Sequence, residues 1–221
     1  MCRILILCFD GLNRKAVEEY NLEVFKQVEY GDIRIPGVFS GHLWSTFVTG
    51  KPLSVHGIDS WKIDALNNPN YFKDECKLEP FTVFARKPKI MYYPFLDPRW
   101  MVFKGIEHDF TQIITVHDKV FQECCRELQS DWDLFLACFM IIDNLSHCGR
   151  LDEEKYHLLE IDVKRLISLA NSTWTLIIGD KSPSHTPPGF YSSSKPLNLD
   201  NPYLSDFYNI IRRELEECYR K

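Results

Sequence analysis

Three stretches decide the fold: ILILCFD at 4–10, LFLACFMIID at 134–143 and TLIIGD at 175–180. Each is an apolar run that ends on an aspartate. With no polar residue alternating through them, they read as strands buried on both faces, as in a parallel sheet. The segments between them carry helical spacing. Residues 13–28 place Val17, Val24, Phe25 and Val28 on one face, and 113–128 place Ile113, Val120, Cys124 and Leu128 on another. Residues 152–170 carry the stripe Tyr156, Leu159, Val163, Leu166 and Ala170, and 203–219 carry Leu204, Phe207, Ile211 and Leu215. Shorter elements are expected at 32–36 (strand), 43–49 (helix closed by Gly50) and 89–93 (strand ended by Pro94). Alternating strands and helices predict an α/β fold of three layers, α/β/α, around a mostly parallel central sheet. The reading is of one domain over 1–221. Within it, 59–133 is partly a cap or loop insertion, least patterned at 60–88.

Bulk properties narrow the function. A net charge of −5 argues against a broad basic surface for duplex nucleic acid. No run reaches the roughly 18 apolar residues a membrane span requires. The first apolar run is short, stops at Asp10 and has no small-residue cleavage site, so a cytoplasmic protein is expected. The eight cysteines include no CxxC pair, and several lie inside apolar runs. They are expected to be buried small hydrophobes rather than disulfides or a zinc cluster. Nothing in the sequence addresses oligomeric state.

In a parallel sheet, Asp10, Asp143 and Asp180 all reach the same edge, where such sheets bind ligands. One such aspartate is commonly a loop cap. Three together repel unless a positive charge sits among them, and a divalent cation is the usual answer. His147 stands four residues after Asp143, and His185 five after Asp180. Carboxylates mixed with imidazoles suit zinc, manganese or iron better than calcium.

The order of these pieces resembles the alkaline-phosphatase superfamily, in particular its type I phosphodiesterases and nucleotide pyrophosphatases. The resemblance rests on Asp10-Gly11, on PGVFSGHLWSTFVTGKPLSVHGI at 36–58, on Asp143-Asn-Leu-Ser-His147, on Glu160-Ile161-Asp162, and on Asp180 with His185-Thr-Pro-Pro-Gly189. It covers 3–58 and 134–191, and it implies an alkaline-phosphatase-like core with a reduced cap. It further implies a metal-dependent hydrolase of phosphate esters, a phosphodiesterase or phosphatase acting on a small molecule or nucleotide. Ser40, nine residues before Thr49, takes the nucleophile's place and would form a phospho-enzyme. Asp10, Ser40 and Asp180 would hold one metal and Asp143, His147 and His185 another, zinc first and manganese second. Gly41, His42 and Tyr93 fall on the substrate side, with the aromatics Trp44, Tyr92, Phe95 and Trp100 also near the cleft.

The chain departs from the family at Lys181, where a ligand histidine is expected, and at Leu43, where an asparagine normally holds phosphate. Three arrangements answer the first departure: a weaker second metal, His42 as a replacement ligand, or the Lys181 ammonium as the positive charge of a one-metal site. The alternative function is a degenerate member that binds a phosphorylated ligand or a protein partner with little catalysis. A short chain also predicts an open site around Ser40.

Overall fold

The computed structural model describes residues 2–61 and 63–220. β1 (Ile4–Phe9) leads into α1 (Arg14–Glu19), β2 (Glu29–Ile33) and α2 (Ser40–Thr49). Three short helices follow: α3 (Leu53–His56), α4 (Ile63–Asn67) and α5 (Tyr71–Asp74). Next come β3 (Pro88–Met91), α6 (Phe110–Glu127), β4 (Leu134–Phe139), α7 (Ile141–His147) and α8 (Glu153–Ala170). β5 (Trp174–Gly179), β6 (Gly189–Ser193) and α9 (Asp206–Cys218) complete the chain.

The six strands form one sheet in the order β2-β6-β5-β1-β4-β3. β1 runs parallel to β4 and β5, β3 runs parallel to β4, and β6 is antiparallel to both β5 and β2. Every residue of β1, β4 and β5 is buried, which is why these strands lack polar alternation. Each Leu, Ile or Phe buried there contributes about 1.5–3 kcal/mol. α6 packs on α8, and α2 packs on α9, giving the two helical layers that flank the sheet. Side-chain caps begin the long helices: Asp109 accepts from Gln112 N–H before α6, and Asp152 accepts from Lys155 N–H before α8. Among the described residues no helix is long and apolar enough to cross a membrane.

Several expectations are corrected. The helix read over 13–28 ends at Glu19, because Asn21 adopts a left-handed φ of 51° and Val28 is exposed. The second strand lies at Glu29–Ile33, not 32–36, and its partner β6 was not anticipated. The run 134–142 is a strand only to Phe139. The chain turns at Met140 and continues as α7, so Asp143 sits in a helix's first turn rather than at a strand end. Within 59–133, the strand read at 89–93 lies at Pro88–Met91, and the helix read at 113–128 spans Phe110–Glu127. Cys2 and Cys218 form a disulfide that joins the two ends of the chain, against the reading of unpaired cysteines. Cys8, Cys124, Cys125 and Cys138 are free and buried.

Candidate active site

The register aligns Phe9 with Phe139 and with Gly179, so Asp10 and Asp180 leave neighbouring strands at the same height. Gly179 permits this closeness. A Cβ there would stand 2.0 Å from the Leu12 carbonyl oxygen. Gly11, at φ 88°, turns the chain under Asp143, and its N–H donates to Asp180 Oδ1 at 3.0 Å. Both aspartates are fully buried.

α2 supplies Ser40. The helix begins at Ser40 itself, three residues before the expected start, with Phe39 as its cap residue and Gly50 closing it at φ 65°. The N–H groups of its first turn have no helical acceptor. The Ser40 hydroxyl donates to Asp10 Oδ1 at 3.1 Å.

Lys181 joins these groups. Its ammonium donates to Asp10 Oδ1, to Ser40 Oγ and, at 3.0 Å, to Asp180 Oδ2. It lies 4.0 Å from Asp143 Oδ1 and is fully buried. Burial alone would lower its pKa, but Asp180, Asp10 and Asp143 outweigh burial and raise it. One ammonium does not neutralise three carboxylates. Asp180 is pushed up to about 8 by burial and then by Asp10, and Asp143 up to about 6 for the same reasons. Asp10 Oδ2 and Asp143 Oδ1 are buried and accept no hydrogen bond. A pocket with this excess of negative charge and two unused carboxylate oxygens fits a divalent cation.

The donors for that cation stand on the open side. Asp143, His147 and His185 each place a ligand atom within 4.8 Å of the others. His147 Nε2 lies 3.4 Å from Asp143 Oδ2, His185 Nε2 lies 3.2 Å from Asp143 Oδ1, and the two Nε2 atoms are 3.2 Å apart. His185 takes a left-handed φ of 57°, a conformation few non-glycine residues adopt. Its loop is tied off locally: Ser182 N–H donates to the Thr186 carbonyl, His185 N–H to the Ser182 carbonyl, and Ser146 Oγ on α7 to the Pro183 carbonyl. This set offers the three protein ligands of an open zinc-type site. The position framed by Asp10, Ser40 and Asp180 differs, because the Lys181 ammonium already bonds all three side chains there.

A cleft of about 370 Å³ exposes this arrangement, with Asp10, Ser40, Asp143, His147 and His185 in its wall. The opening is one-sided. The His147 and His185 side chains are 40% and 41% exposed, whereas Ser40 is 8% exposed and Lys181 is hidden. The expected open site around Ser40 is corrected accordingly.

Of the three residues expected on the substrate side, Tyr93 and His42 have buried side chains that do not line the cleft, while Gly41 lies in the first turn of α2. Tyr93 is buried, and its hydroxyl donates to the Trp44 carbonyl at 2.9 Å. His42 packs its ring 5.3 Å from that of His56, in the buried interior. Gly41 is crowded by Phe39 and Trp61, where an added Cβ would come within 2.7 Å of the Phe39 ring. Tyr92 and Phe95 are also buried. Of the expected aromatics Trp100 lines the cleft, and Phe39, Trp61 and Phe103 complete its aromatic wall. Trp61 lies in the unpatterned part of the sequence, where no periodicity marks it. His117 pairs with Asp162 at 3.0 Å between α6 and α8, apart from the cleft.

No protein-family model matches the chain, and no curated protein matches it in sequence. Among solved structures, phosphonoacetate hydrolase from Sinorhizobium meliloti 1021 matches with a TM-score of 0.53, in its complexes with phosphonoacetate and with phosphonoformate. Identity is 15% and 14%, over 82% of this chain and 56% of that one. The chain therefore spans about half the length of that hydrolase. At such identity the likeness is one of fold: a mostly parallel sheet flanked by helices.

Proposed function

We propose that this protein is a metal-dependent hydrolase of phosphate esters, acting on a small molecule or nucleotide through a Ser40 phospho-enzyme. The observation that carries the reading is the position of Ser40 Oγ. It lies at the start of α2, bonded to both Asp10 and the Lys181 ammonium, in the wall shared with Asp143, His147 and His185. The fold shared with a phosphonate hydrolase supports it.

A phosphoryl group docks against the free N–H groups at the start of α2, where the helix dipole favours an anion. Asp143, His147 and His185 would hold one divalent ion, zinc by donor type and manganese second, with Lys181 in place of a second ion. When bound, such an ion would supply positive charge to the phosphoryl oxygens and would lower the pKa of a water towards about 7. Asp10 takes the Ser40 proton along the existing hydrogen bond, and Lys181 stabilises the oxygen's developing negative charge. The Oγ–P bond forms as the ester P–O bond opposite breaks, and the departing oxygen takes a proton from water. The hydroxide left by that proton transfer then attacks phosphorus, the Oγ–P bond breaks, and Ser40 recovers its proton from Asp10.

A second reading rests on Lys181. Its fully buried ammonium bonds Asp10, Asp180 and Ser40 together, an arrangement that also suits a degenerate member that binds phosphorylated ligands without turnover. The two separate in one assay. Bis(p-nitrophenyl) phosphate and p-nitrophenyl phosphate are offered to metal-stripped protein, to protein refilled with zinc or manganese, and to Ser40→Ala and His147→Ala. Metal-dependent turnover, lost in both variants, is expected, with the diester faster. Absence of turnover in folded, metal-loaded protein would establish the binding reading instead.

A further inference from the structure

The cleft wall contains one cation that the proposed chemistry does not use. Lys104 follows the 3-10 turn Pro98–Phe103 and lines the cleft with Trp61, Trp100 and Glu107. Its ammonium lies 5.1 Å from the centre of the Trp61 ring and 5.7 Å from that of Trp100. Those two indoles stack on each other at 4.5 Å, and Phe95 stacks against Trp61 at 5.9 Å. The indole faces are thus occupied by one another and by the lysine. They form a platform that holds the ammonium rather than a free surface for a substrate ring.

Among the described residues no carboxylate comes within 4.0 Å of the Lys104 ammonium. Glu107 acts on it only from farther off, raising its pKa, while partial burial lowers it by a larger margin. A partly desolvated cation without an ion-pair partner, in a cleft wall that is otherwise largely aromatic on its side, is placed to receive an anion from outside the chain. The phosphoryl group itself is accounted for by the start of α2 and by the metal-ligand set.

We infer that Lys104 is a specificity-determining residue, and that the substrate is a phosphate ester carrying a second anionic group, a carboxylate or a second phosphoryl, which pairs with the Lys104 ammonium. This inference rests on the phosphoryl reading of the same cleft. Glu107 limits the subsite to one anion, held from the Lys104 side.

Binding of non-hydrolysable phosphonates tests it without turnover. Calorimetric titration of the zinc-supplied protein compares 3-phosphonopropionate, 4-phosphonobutyrate and 6-phosphonohexanoate with alkylphosphonates of equal length. Propane-1,3-diphosphonate serves as the second-phosphoryl arm. At least one doubly anionic compound is expected to bind about tenfold or more tightly than its alkyl counterpart, as a hydrogen bond to a charged group implies. Whichever arm gains names the second anion. That preference is lost in Lys104→Met and kept in Lys104→Arg. The readout is a ratio within one protein, so partial loss of folded material does not move it. Equal binding of the paired compounds by the wild type, or a preference that survives Lys104→Met, overturns the inference alone. Failure of every phosphonate to bind overturns the phosphoryl site and the inference with it.

Discussion

Replacing Lys181 by methionine removes the one ammonium that joins Asp10, Asp180 and Ser40. Methionine fills a similar volume, so the loss is electrostatic. Removing one partner of a buried ion pair costs about 3–5 kcal/mol, because the stranded charge remains. Asp180, already pushed up to about 8, holds a proton at neutral pH, which brings the cost towards the lower figure. For a domain of this size about 3 kcal/mol corresponds to a fall in Tm of about 6–12 °C. The sign of the pH dependence follows. Lys181 holds down the pKa values of Asp180 and Asp143, which burial and Asp10 already raise, so in the variant they lie further above the unfolded ones. The folded state then binds more protons than the unfolded state, and stability falls as pH rises. The deficit is therefore larger at pH 8 than at pH 5.5. Thermal melts of metal-stripped wild type and Lys181→Met at those two pH values measure it. A variant that melts within about 2 °C of wild type at pH 8, with no pH dependence, would refute the argument that Lys181 is the counter-charge of this cluster.

Two further predictions concern the scaffold. His56 is buried; Ile58 N–H donates to its Nδ1 at 3.1 Å, so Nε2 carries the proton and donates to Thr46 Oγ1 at 3.2 Å. Burial, and then His42, depress its pKa from 6.5 to about 4. The associated stability is present above pH 6.5 and is lost as pH falls towards 4, by at most about 3 kcal/mol. Denaturant unfolding at pH 7 and pH 4.5 should show a smaller drop for His56→Asn than for wild type. The Cys2–Cys218 disulfide closes a loop with a sequence separation of 216. By loop entropy, reduction or Cys218→Ser should lower stability by about 5 kcal/mol, and unchanged melting under reducing conditions would count against a formed bridge.

The legible parts of the fold were those with a one-dimensional cause. β1, β4 and β5 are buried on both faces, so burial wrote itself into the sequence as continuous apolar runs. The helices α6 and α8 each bury one stripe, and their spacing showed it. β6 was missed because GFYSS is short and half polar, and its place between β2 and β5 is set by partners far along the chain. Asp143 was placed at the right edge on the wrong element, since an apolar run does not reveal where it bends from strand into helix. Lys181 was identified as a departure, but its contacts with Asp10 and Ser40 depend on separations of 171 and 141 residues. Tyr93 and His42 carried plausible chemistry, yet their burial is a tertiary fact. Trp61 and Lys104 lie where no pattern repeats, so only the folded chain brings them to the cleft.

The most direct test of the account is equilibrium metal binding. Metal-stripped wild type, His147→Ala and Lys181→His are titrated with zinc. The account predicts one ion bound per wild-type chain and none in His147→Ala. A second ion is expected in Lys181→His, where the ammonium no longer fills the place between Asp10, Ser40 and Asp180. Two tightly bound ions in the wild type, or none, would contradict it.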